Sequence, residues 1–253
     1  MNMRFIGIIP ARYGSSRFPG KPLATLGGMK MIQRVYRQVS KALDEVVVAT
    51  DDERIVEAVE EIHGNAVMTS ANHRSGTDRC YEAYKNIGSN ADVVINIQGD
   101  EPFIDPKQIE ALQACFNKPQ TQIATLVRRF DPALGFDALF DANTPKVTLD
   151  NNGRALYFSR SIIPYVRDFK YTEWVNKATF YTHVGIYAYR AEVLAQLVEM
   201  ERSPLEIAES LEQLRWLQAG YNIQTAVTDC PTIGIDTPED LARAEDYLKS
   251  IEQ

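Results

Sequence analysis

The fold is decided by the stretch from Ile6 to Leu23, which reads IGIIPARYGSSRFPGKPL. Its apolar, β-branched start predicts a buried strand that ends at Pro10. The loop that follows contains small residues together with polar groups that could reach a phosphate: Arg12, Ser15, Arg17 and Lys21. In α/β proteins, backbone N–H groups and fixed cations at strand ends hold phosphate, so we interpret this loop as a phosphate site. A loop of merely solvated cations is the alternative.

Two common nucleotide motifs are absent from this loop. Gly14 and Gly20 are one residue too far apart for a P-loop, and Pro22 follows Lys21 where a P-loop carries a hydroxyl. The loop is also not the G-x-G-x-x-G of dinucleotide-binding proteins. The phosphate site therefore belongs to another class.

Length and composition exclude several classes of protein. The chain has 253 residues, of which 45% are hydrophobic and 24% charged, as is ordinary for a globular protein with a sizeable core. The formal net charge of −7 argues against a nucleic-acid partner, and no apolar run approaches the ~20 residues that membrane insertion needs. The three widely spaced cysteines suit reduced thiols in a cytoplasm.

Hydrophobic periodicity predicts a doubly wound α/β fold with a mostly parallel sheet. Strands are predicted at Phe5 to Ile9, Glu45 to Ala49 and Asp92 to Ile97, and helices at 31–43 and 53–62. Such sheets bind ligands at the carboxyl ends of their strands.

Acidic residues follow two of these predicted strands. Asp51 and Asp52 precede the second predicted helix, where carboxylates cap free N–H groups, and we favour the interpretation that Asp51, which follows the second strand, is only such a cap. Asp100 follows the third strand beside Gly99, where a carboxylate suits Mg²⁺ bound to phosphates. The next helix already has its own cap at Asp105, so Asp100 is free for another role.

The middle of the chain loses the alternation of strand and helix. Further strands are predicted at 123–127, 146–149, 156–160 and 183–189, and we interpret residues 126–205 as an antiparallel insertion. Residues 205–217 return to helical spacing, and 221–227 form a last strand. The expected core is 1–125 plus 206–253, and the two parts are expected to form one structural domain overall.

Asp236 lies one residue before Thr237, the predicted N-cap of the terminal helix, and is not needed for that cap. Asp100 and Asp236 both lie at predicted strand ends and could share one Mg²⁺. Nucleotidyl transfer needs such a site together with the phosphate loop, because its catalysis is mostly positioning and electrostatics.

Polar residues in the second half of the chain are harder to interpret. Arg160 follows an apolar strand and could bind a substrate carboxylate or pair at the surface. Other polar side chains lie among apolar neighbours, where buried structural hydrogen bonding is the commoner explanation: His183, Tyr187, Glu212 and Gln213.

A set of motifs in this order closely resembles the family of CMP-KDO synthetases, or 3-deoxy-manno-octulosonate (KDO) cytidylyltransferases. The motifs are PARYGSSRFPGKPL, VATDDERI, SGTDRC, NIQGDEPFI, ALYFSRSIIP, HVGIYAYR, AESLEQLRWL and GIDTPEDL. The resemblance covers nearly the whole chain and implies a Rossmann-like fold of the nucleotidyltransferase or glycosyltransferase-A type.

The resemblance also implies an activity and a set of roles. The anomeric hydroxyl of KDO would attack the α-phosphate of CTP in the presence of Mg²⁺, giving CMP-KDO and pyrophosphate. CMP-KDO would serve lipopolysaccharide synthesis. The enzyme would be a cytoplasmic homodimer formed through the middle insertion. Arg12, Ser15, Arg17 and Lys21 match the triphosphate loop, with Lys21, Arg12, Asp100 and Asp236 catalytic and the two aspartates also metal ligands. The cytidine side is matched by Arg74, Ser75, Gly76 and Gln98, and the sugar side by Arg160, His183, Tyr187, Glu212 and Gln213.

Two other functions remain open from the residues alone. The acceptor could be another acidic sugar, such as a sialic acid or an amino-substituted octulosonate. The chain could also be a nucleotide-binding regulatory or scaffold domain without turnover, although such a domain would not require both aspartates and all four polar groups of the phosphate loop.

Overall fold

The computed structural model describes residues 3–15 and 17–251 as a mixed α/β protein with a mostly parallel sheet and an antiparallel part. Its strands are β1 (Phe5–Ala11), β2 (Thr25–Leu26), β3 (Met29–Lys30), β4 (Glu45–Thr50), β5 (Ala66–Met68), β6 (Val93–Asn96), β7 (Ile123–Arg129), β8 (Lys146–Leu149), β9 (Ala155–Ser159), β10 (Tyr181–Arg190) and β11 (Ile223–Val227). Its helices are α1 (Met31–Val39), α2 (Glu53–Glu60), α3 (Gly76–Asn86), α4 (Pro106–Cys115), α5 (Ala191–Leu197), α6 (Pro204–Glu209), α7 (Gln213–Gln218) and α8 (Pro238–Ile251). No helix in these described ranges has the length and apolar character that crossing a membrane requires.

The chain divides into two compact units. The first comprises residues 1–110, 189–198 and 230–253, and the second 111–188 and 199–229. Residues 111–125 and 206–229 thus group with the middle of the chain, whereas the sequence interpretation assigned them to the core. The reason is that β11 pairs in parallel with β7 along the whole length of β11, from Ile223 opposite Ile123 to Val227 opposite Val127.

The first unit contains a parallel sheet in the order β6-β1-β4-β5. Its strands are buried on both faces and therefore consist of continuous apolar runs, as predicted. Helix α1 buries a face formed by Met31, Ile32, Val35 and Val39, each of them fully buried. Helix α8 packs through Ala244 and Leu248 against Leu26 and Met31. The carboxyl ends of β1, β4 and β6 thus lie at the same edge of one rigid layer.

Strand β1 is longer than the sequence predicts. It passes through Pro10 and ends at Ala11, which pairs with Thr50. The missing N–H of Pro10 disrupts nothing, because the pairing of β1 with β6 stops at Ile8 opposite Asn96.

The second unit contains the antiparallel part, as predicted. Strand β8 pairs antiparallel with both β9 and β10. Residues 205–217, predicted as one helix, form two helices, α6 and α7. Helix α6 ends at Glu209, because the next residue, Ser210, has a left-handed φ of 49° and cannot continue a right-handed helix.

One of the two residues predicted to cap α2 forms the cap. Asp52 is the N-cap, and its carboxylate accepts a hydrogen bond from the Arg54 backbone N–H at 3.0 Å. Asp51, the other predicted cap residue, instead pairs with Arg79.

Candidate active site

A pocket in the first unit lies where strands β1 and β6 end. It is lined by every residue that the sequence assigned to the phosphate, the nucleotide or the metal: Arg12, Ser15, Arg17, Lys21, Arg74, Ser75, Gly76, Gln98, Asp100 and Asp236. Pro10, Ala11, Pro22, His73, Arg79 and Gly99 complete the lining. Segments as distant as residues 12 and 236 therefore meet at one place.

The phosphate loop folds back on itself after β1. The Gly20 N–H donates to the carbonyl oxygen of Tyr13 at 2.9 Å, and Gly20 has a left-handed φ of 74°. A side chain at Gly20 would also crowd the Tyr13 ring, so glycine suits this turn. Directly after it, Lys21 begins a 3-10 helix whose Pro22 is buried, which fixes the backbone of Lys21.

Lys21 connects the two aspartates. Its ammonium lies 2.6 Å from Asp100 Oδ2 and 3.2 Å from Asp236 Oδ1. The two carboxylate oxygens can be no further apart than the sum of those distances. Arg17 adds a second contact to Asp236, at 3.2 Å. Two carboxylates thus converge on a point beside the phosphate loop.

The backbone explains why Asp236 reaches this point from the far end of the chain. The Ile235 N–H donates to the carbonyl oxygen of Asp100 at 3.0 Å, and the Ile235 side chain is fully buried. On the other side, Thr237 caps α8, because its hydroxyl accepts a hydrogen bond from the Asp240 N–H at 3.2 Å. Asp236 is held between these two anchors.

The base side of the pocket is formed by the start of α3 and the end of β6. Ser75 is the N-cap of α3, and its hydroxyl accepts from the Asp78 N–H at 3.1 Å. A Cβ on Gly76 would lie 3.3 Å from Pro10 Cγ, and one on Gly99 only 2.9 Å from the Pro10 carbonyl oxygen. Both glycines therefore allow the chain to pass close to the end of β1.

The residues predicted for the sugar side all belong to the second unit. His183 Nε2 lies 3.0 Å from Thr125 Oγ1, and the His183 ring contacts those of Phe158 and Tyr187, each at 5.2 Å between centroids. Part of His183 reaches solvent, yet desolvation by its surroundings lowers its pKa to about 3, so the ring is neutral at physiological pH. Burial, assisted by the charge of Glu212, raises the pKa of Tyr187 and keeps its hydroxyl protonated.

The other predicted sugar residues differ in how fully their hydrogen bonds are used. Arg160 donates to the backbone carbonyl oxygens of Glu209, Ala142 and Ser210, at 2.6, 2.6 and 3.2 Å, which leaves two of its five N–H groups without a partner among the described residues and so available to a ligand. Gln213 is 4% exposed, and its Nε2 has no hydrogen-bond partner among residues 3–15 and 17–251. An orphaned buried amide of this kind indicates a missing partner.

Comparison with known proteins identifies the relatives of this chain. A family model described as cytidylyltransferase matches residues 6–224. Proteins named 3-deoxy-manno-octulosonate cytidylyltransferase from Phocaeicola vulgatus and Parabacteroides distasonis are each 60% identical, over 99% and 97% of this chain and 99% and 98% of their own lengths. The chain belongs to the 3-deoxy-manno-octulosonate cytidylyltransferase family. The family predicted from the sequence motifs is thus confirmed.

Solved structures agree with this cytidylyltransferase family. The structure of a CMP:2-keto-3-deoxy-manno-octonic acid synthetase complexed with CTP superimposes with a TM-score of 0.90 at 42% identity, covering 98% of this chain and 99% of that one. A cytidylyltransferase from Leptospira borgpetersenii, at 18% identity and a TM-score of 0.65, shares the fold. The predicted fold class is confirmed.

For a cytidylyltransferase, the donor set of the pocket fits a hard divalent cation. Among the described residues no group of three or more His, Cys, Asp and Glu side chains could hold a metal by itself. Mg²⁺ is nevertheless commonly coordinated by only one or two protein carboxylates, with phosphate oxygens and waters as its other ligands. Asp100 and Asp236 would hold it.

Two charged residues of the cytidylyltransferase pocket, His73 and Arg79, were not among the site residues assigned from the sequence, although the quoted motif SGTDRC contains Arg79. Arg79 could have been assigned to the pocket, because it belongs to the SGTDRC motif and lies one helical turn after Gly76, on the same face of α3. His73 is held by Glu82, nine residues further along, and no local pattern predicts such a contact.

Proposed function

We propose that this protein transfers CMP from CTP to the anomeric hydroxyl of KDO, giving CMP-KDO and pyrophosphate and so activating KDO for lipopolysaccharide synthesis. The hydroxyl oxygen forms a bond to the α-phosphorus while the bond from that phosphorus to the β-phosphate bridging oxygen breaks, and the hydroxyl proton is lost. The observation that carries the proposal is the convergence of Lys21, Asp100 and Asp236 beside the phosphate loop.

The residues of the phosphate loop have the charges that this reaction needs. Arg12, Arg17 and Lys21 line one pocket and would neutralise the triphosphate and then the departing pyrophosphate. Mg²⁺ held by Asp100 and Asp236 would screen the negative charge of the phosphates when bound. Lys21 would then exchange its carboxylate partners for a phosphate oxygen.

The nucleotide and the sugar would be recognised by different parts of the chain. Arg74, Ser75, Gly76 and Gln98 are proposed for cytidine, since they line the pocket at the start of α3 and the end of β6. Arg160, His183, Tyr187, Glu212 and Gln213 are proposed for KDO, and the free Nε2 of Gln213 and the two unused N–H groups of Arg160 are donors suited to sugar oxygens. Because His183 is neutral, it could accept or donate one hydrogen bond without adding charge.

We also propose a cytoplasmic homodimer that assembles through residues 126–205. The cytoplasm is where CTP is made, and Cys80, Cys115 and Cys230, which form no disulfide among the described residues, suit its redox state. Exposed aromatic side chains of that segment would supply the contact, since Phe140, Tyr165 and Tyr171 are 60%, 70% and 56% exposed. Sedimentation of the wild type and of Tyr165→Ser tests this: the wild type should be a dimer, and a wild-type monomer would refute the proposal.

The activity is tested by measuring pyrophosphate from CTP and Mg²⁺ with a panel of acceptors. KDO should support turnover, and a sialic acid and an amino-substituted octulosonate should be much poorer acceptors. Faster turnover with either analogue would change the assigned acceptor. CTP binding without pyrophosphate from any acceptor would leave only a nucleotide-binding domain.

A further inference from the structure

The acidic end of β4 supplies a carboxylate that the proposed reaction does not use. Asp51 directly follows this strand, and its neighbour Asp52 already serves as the N-cap of α2. The Asp51 carboxylate instead accepts a hydrogen bond from Arg79 Nη2 at 2.9 Å. Only 16% of the Asp51 side chain is exposed, so this ion pair is largely shielded from water.

Arg79 connects this ion pair to the pocket. It lies on α3 one turn after Gly76, and both residues line the pocket. Arg79 is 4% exposed, and a second bond runs from its Nη1 to Thr69 Oγ1 at 2.7 Å. The Thr69 hydroxyl in turn donates to the carbonyl oxygen of Thr50 at 3.0 Å, which ties the guanidinium to the end of β4.

The position of this guanidinium bears on which base can bind. Among the described residues, two of its five N–H groups bond Asp51 and Thr69, so others are available to a ligand in the pocket. The O2 and N3 atoms of cytosine both accept hydrogen bonds, whereas N3 of uracil carries a proton. A buried donor fixed in place therefore discriminates between the two bases, because the wrong base leaves it unpaired.

We propose that Asp51 is a positioning residue for nucleotide binding: it holds the Arg79 guanidinium where its remaining N–H groups donate to the base of CTP. The counter-charge matters because a buried guanidinium without a carboxylate would shift toward other acceptors or toward water. This inference rests on the proposed function, since it assumes that CTP is the nucleotide bound in this pocket.

The test is equilibrium titration of CTP and of UTP into the full-length protein without sugar, so that turnover plays no part. Asp51→Asn keeps the size of the side chain and removes its charge. It should weaken CTP binding about tenfold, the loss expected for one misplaced charge-assisted hydrogen bond, and should bring the CTP and UTP affinities closer together. Glu45→Gln is the matched control, because it neutralises the Arg4–Glu45 ion pair at the opposite end of β4 and should leave both affinities unchanged.

A double-mutant cycle separates positioning from general structural damage. In the Arg79→Gln background, Asp51→Asn should change CTP affinity less than twofold, because the group that it positions is already absent. If Asp51→Asn fails to fold, Asp51→Glu retains the charge but displaces the guanidinium, and it should lower base selectivity with little loss of thermal stability.

The outcomes are distinguishable. A wild type that does not bind CTP overturns the proposed function. A wild type that binds CTP, with Asp51→Asn matching it in affinity and base selectivity, overturns only the role of Asp51. An effect of Asp51→Asn that persists undiminished without Arg79 overturns that role as well.

Discussion

Replacing Lys21 by Met should separate catalysis from stability, because its ammonium has one function in the fold and another in the reaction. The substitution keeps most of the aliphatic stem and removes only the charge. Lys21 is 14% exposed, but its partners Asp100 and Asp236 are 30% and 48% exposed, so solvent screens much of the attraction. We therefore expect a loss of only about 1–2 kcal/mol in the free energy of unfolding.

The loss in activity should be much larger. In the reaction Lys21 would stabilise the charge on the transferred and departing phosphates, and removing one preorganised donor of this kind costs about 100- to 1,000-fold in rate. We expect kcat/KM for CTP to fall by about that factor in a pyrophosphate-release assay. Affinity for a divalent ion without nucleotide should rise, since the ammonium no longer competes for the two carboxylates.

Lys30→Met is the control for this prediction. Lys30 also forms an ion pair in the first unit, with Glu61 at 2.8 Å, but it does not line the pocket. It should show a similar or smaller change in urea unfolding and retain wild-type turnover. The reasoning is refuted if Lys21→Met keeps kcat/KM within fivefold of wild type, or if both variants lose activity equally.

Three further predictions concern the fit of the pocket, the pH dependence of stability and the anchoring of the C-terminal segment. Gly99→Ala should lower CTP affinity at least tenfold, because its Cβ would lie 2.9 Å from the rigid carbonyl oxygen of Pro10, whereas Gly234→Ala, with nothing within 4 Å, should bind CTP normally; equal affinities would contradict this. Because burial lowers the pKa of His183 to about 3, between that pH and about 6.5 the unfolded chain binds a proton that the folded chain does not, and stability falls as the pH drops. In urea unfolding, His183 should lower the free energy of unfolding by about 2–3 kcal/mol between pH 7.5 and 4.5, and His183→Gln should lose that part of the pH dependence. If the pH dependence of the variant's unfolding free energy is unchanged, another group causes the loss. Ile235→Ala removes a fully buried side chain and should cost about 2–5 kcal/mol of unfolding free energy and weaken metal binding, measured by denaturation and metal titration; wild-type metal binding would show that this anchor does not position the metal site.

The sequence predicted the parts of the fold that depend on local pattern. The buried strands β1, β4 and β6 could be located because short apolar, β-branched runs are typical of buried strands. The N-caps of α4 and α8 could be located because Asp-Pro and Thr-Pro are specific signals for the start of a helix. Strand β8 was predicted with its observed bounds, Lys146–Leu149.

Features that depend on contacts distant in sequence could not be predicted. The break between α6 and α7 comes from a left-handed Ser210, a residue type that ordinarily allows a helix to continue. The choice between Asp51 and Asp52 as cap depended on Arg79, which lies 28 residues away. The grouping of residues 111–125 and 206–229 depended on the pairing of β7 with β11.

In the candidate site, too, local patterns could be predicted from the sequence and contacts between distant residues could not. All ten residues assigned from the sequence to the phosphate, nucleotide and metal line one pocket. They could be predicted because strand ends and family motifs both indicated them. The exact partners within it were beyond sequence reasoning. Only the folded chain shows that Lys21 bridges both aspartates and that Arg160 donates hydrogen bonds to three backbone carbonyl oxygens.

The arrangement of charges around the triphosphate is tested most directly by locating a divalent ion in crystals grown with CTP and Mn²⁺. We expect one anomalous peak in contact with carboxylate oxygens of both Asp100 and Asp236, at the ~2.1 Å typical of a small hard cation, with Lys21 turned toward a phosphate. A peak bound by phosphate oxygens alone, with Lys21 still between the two aspartates, would contradict the shared metal site on which the proposed mechanism depends.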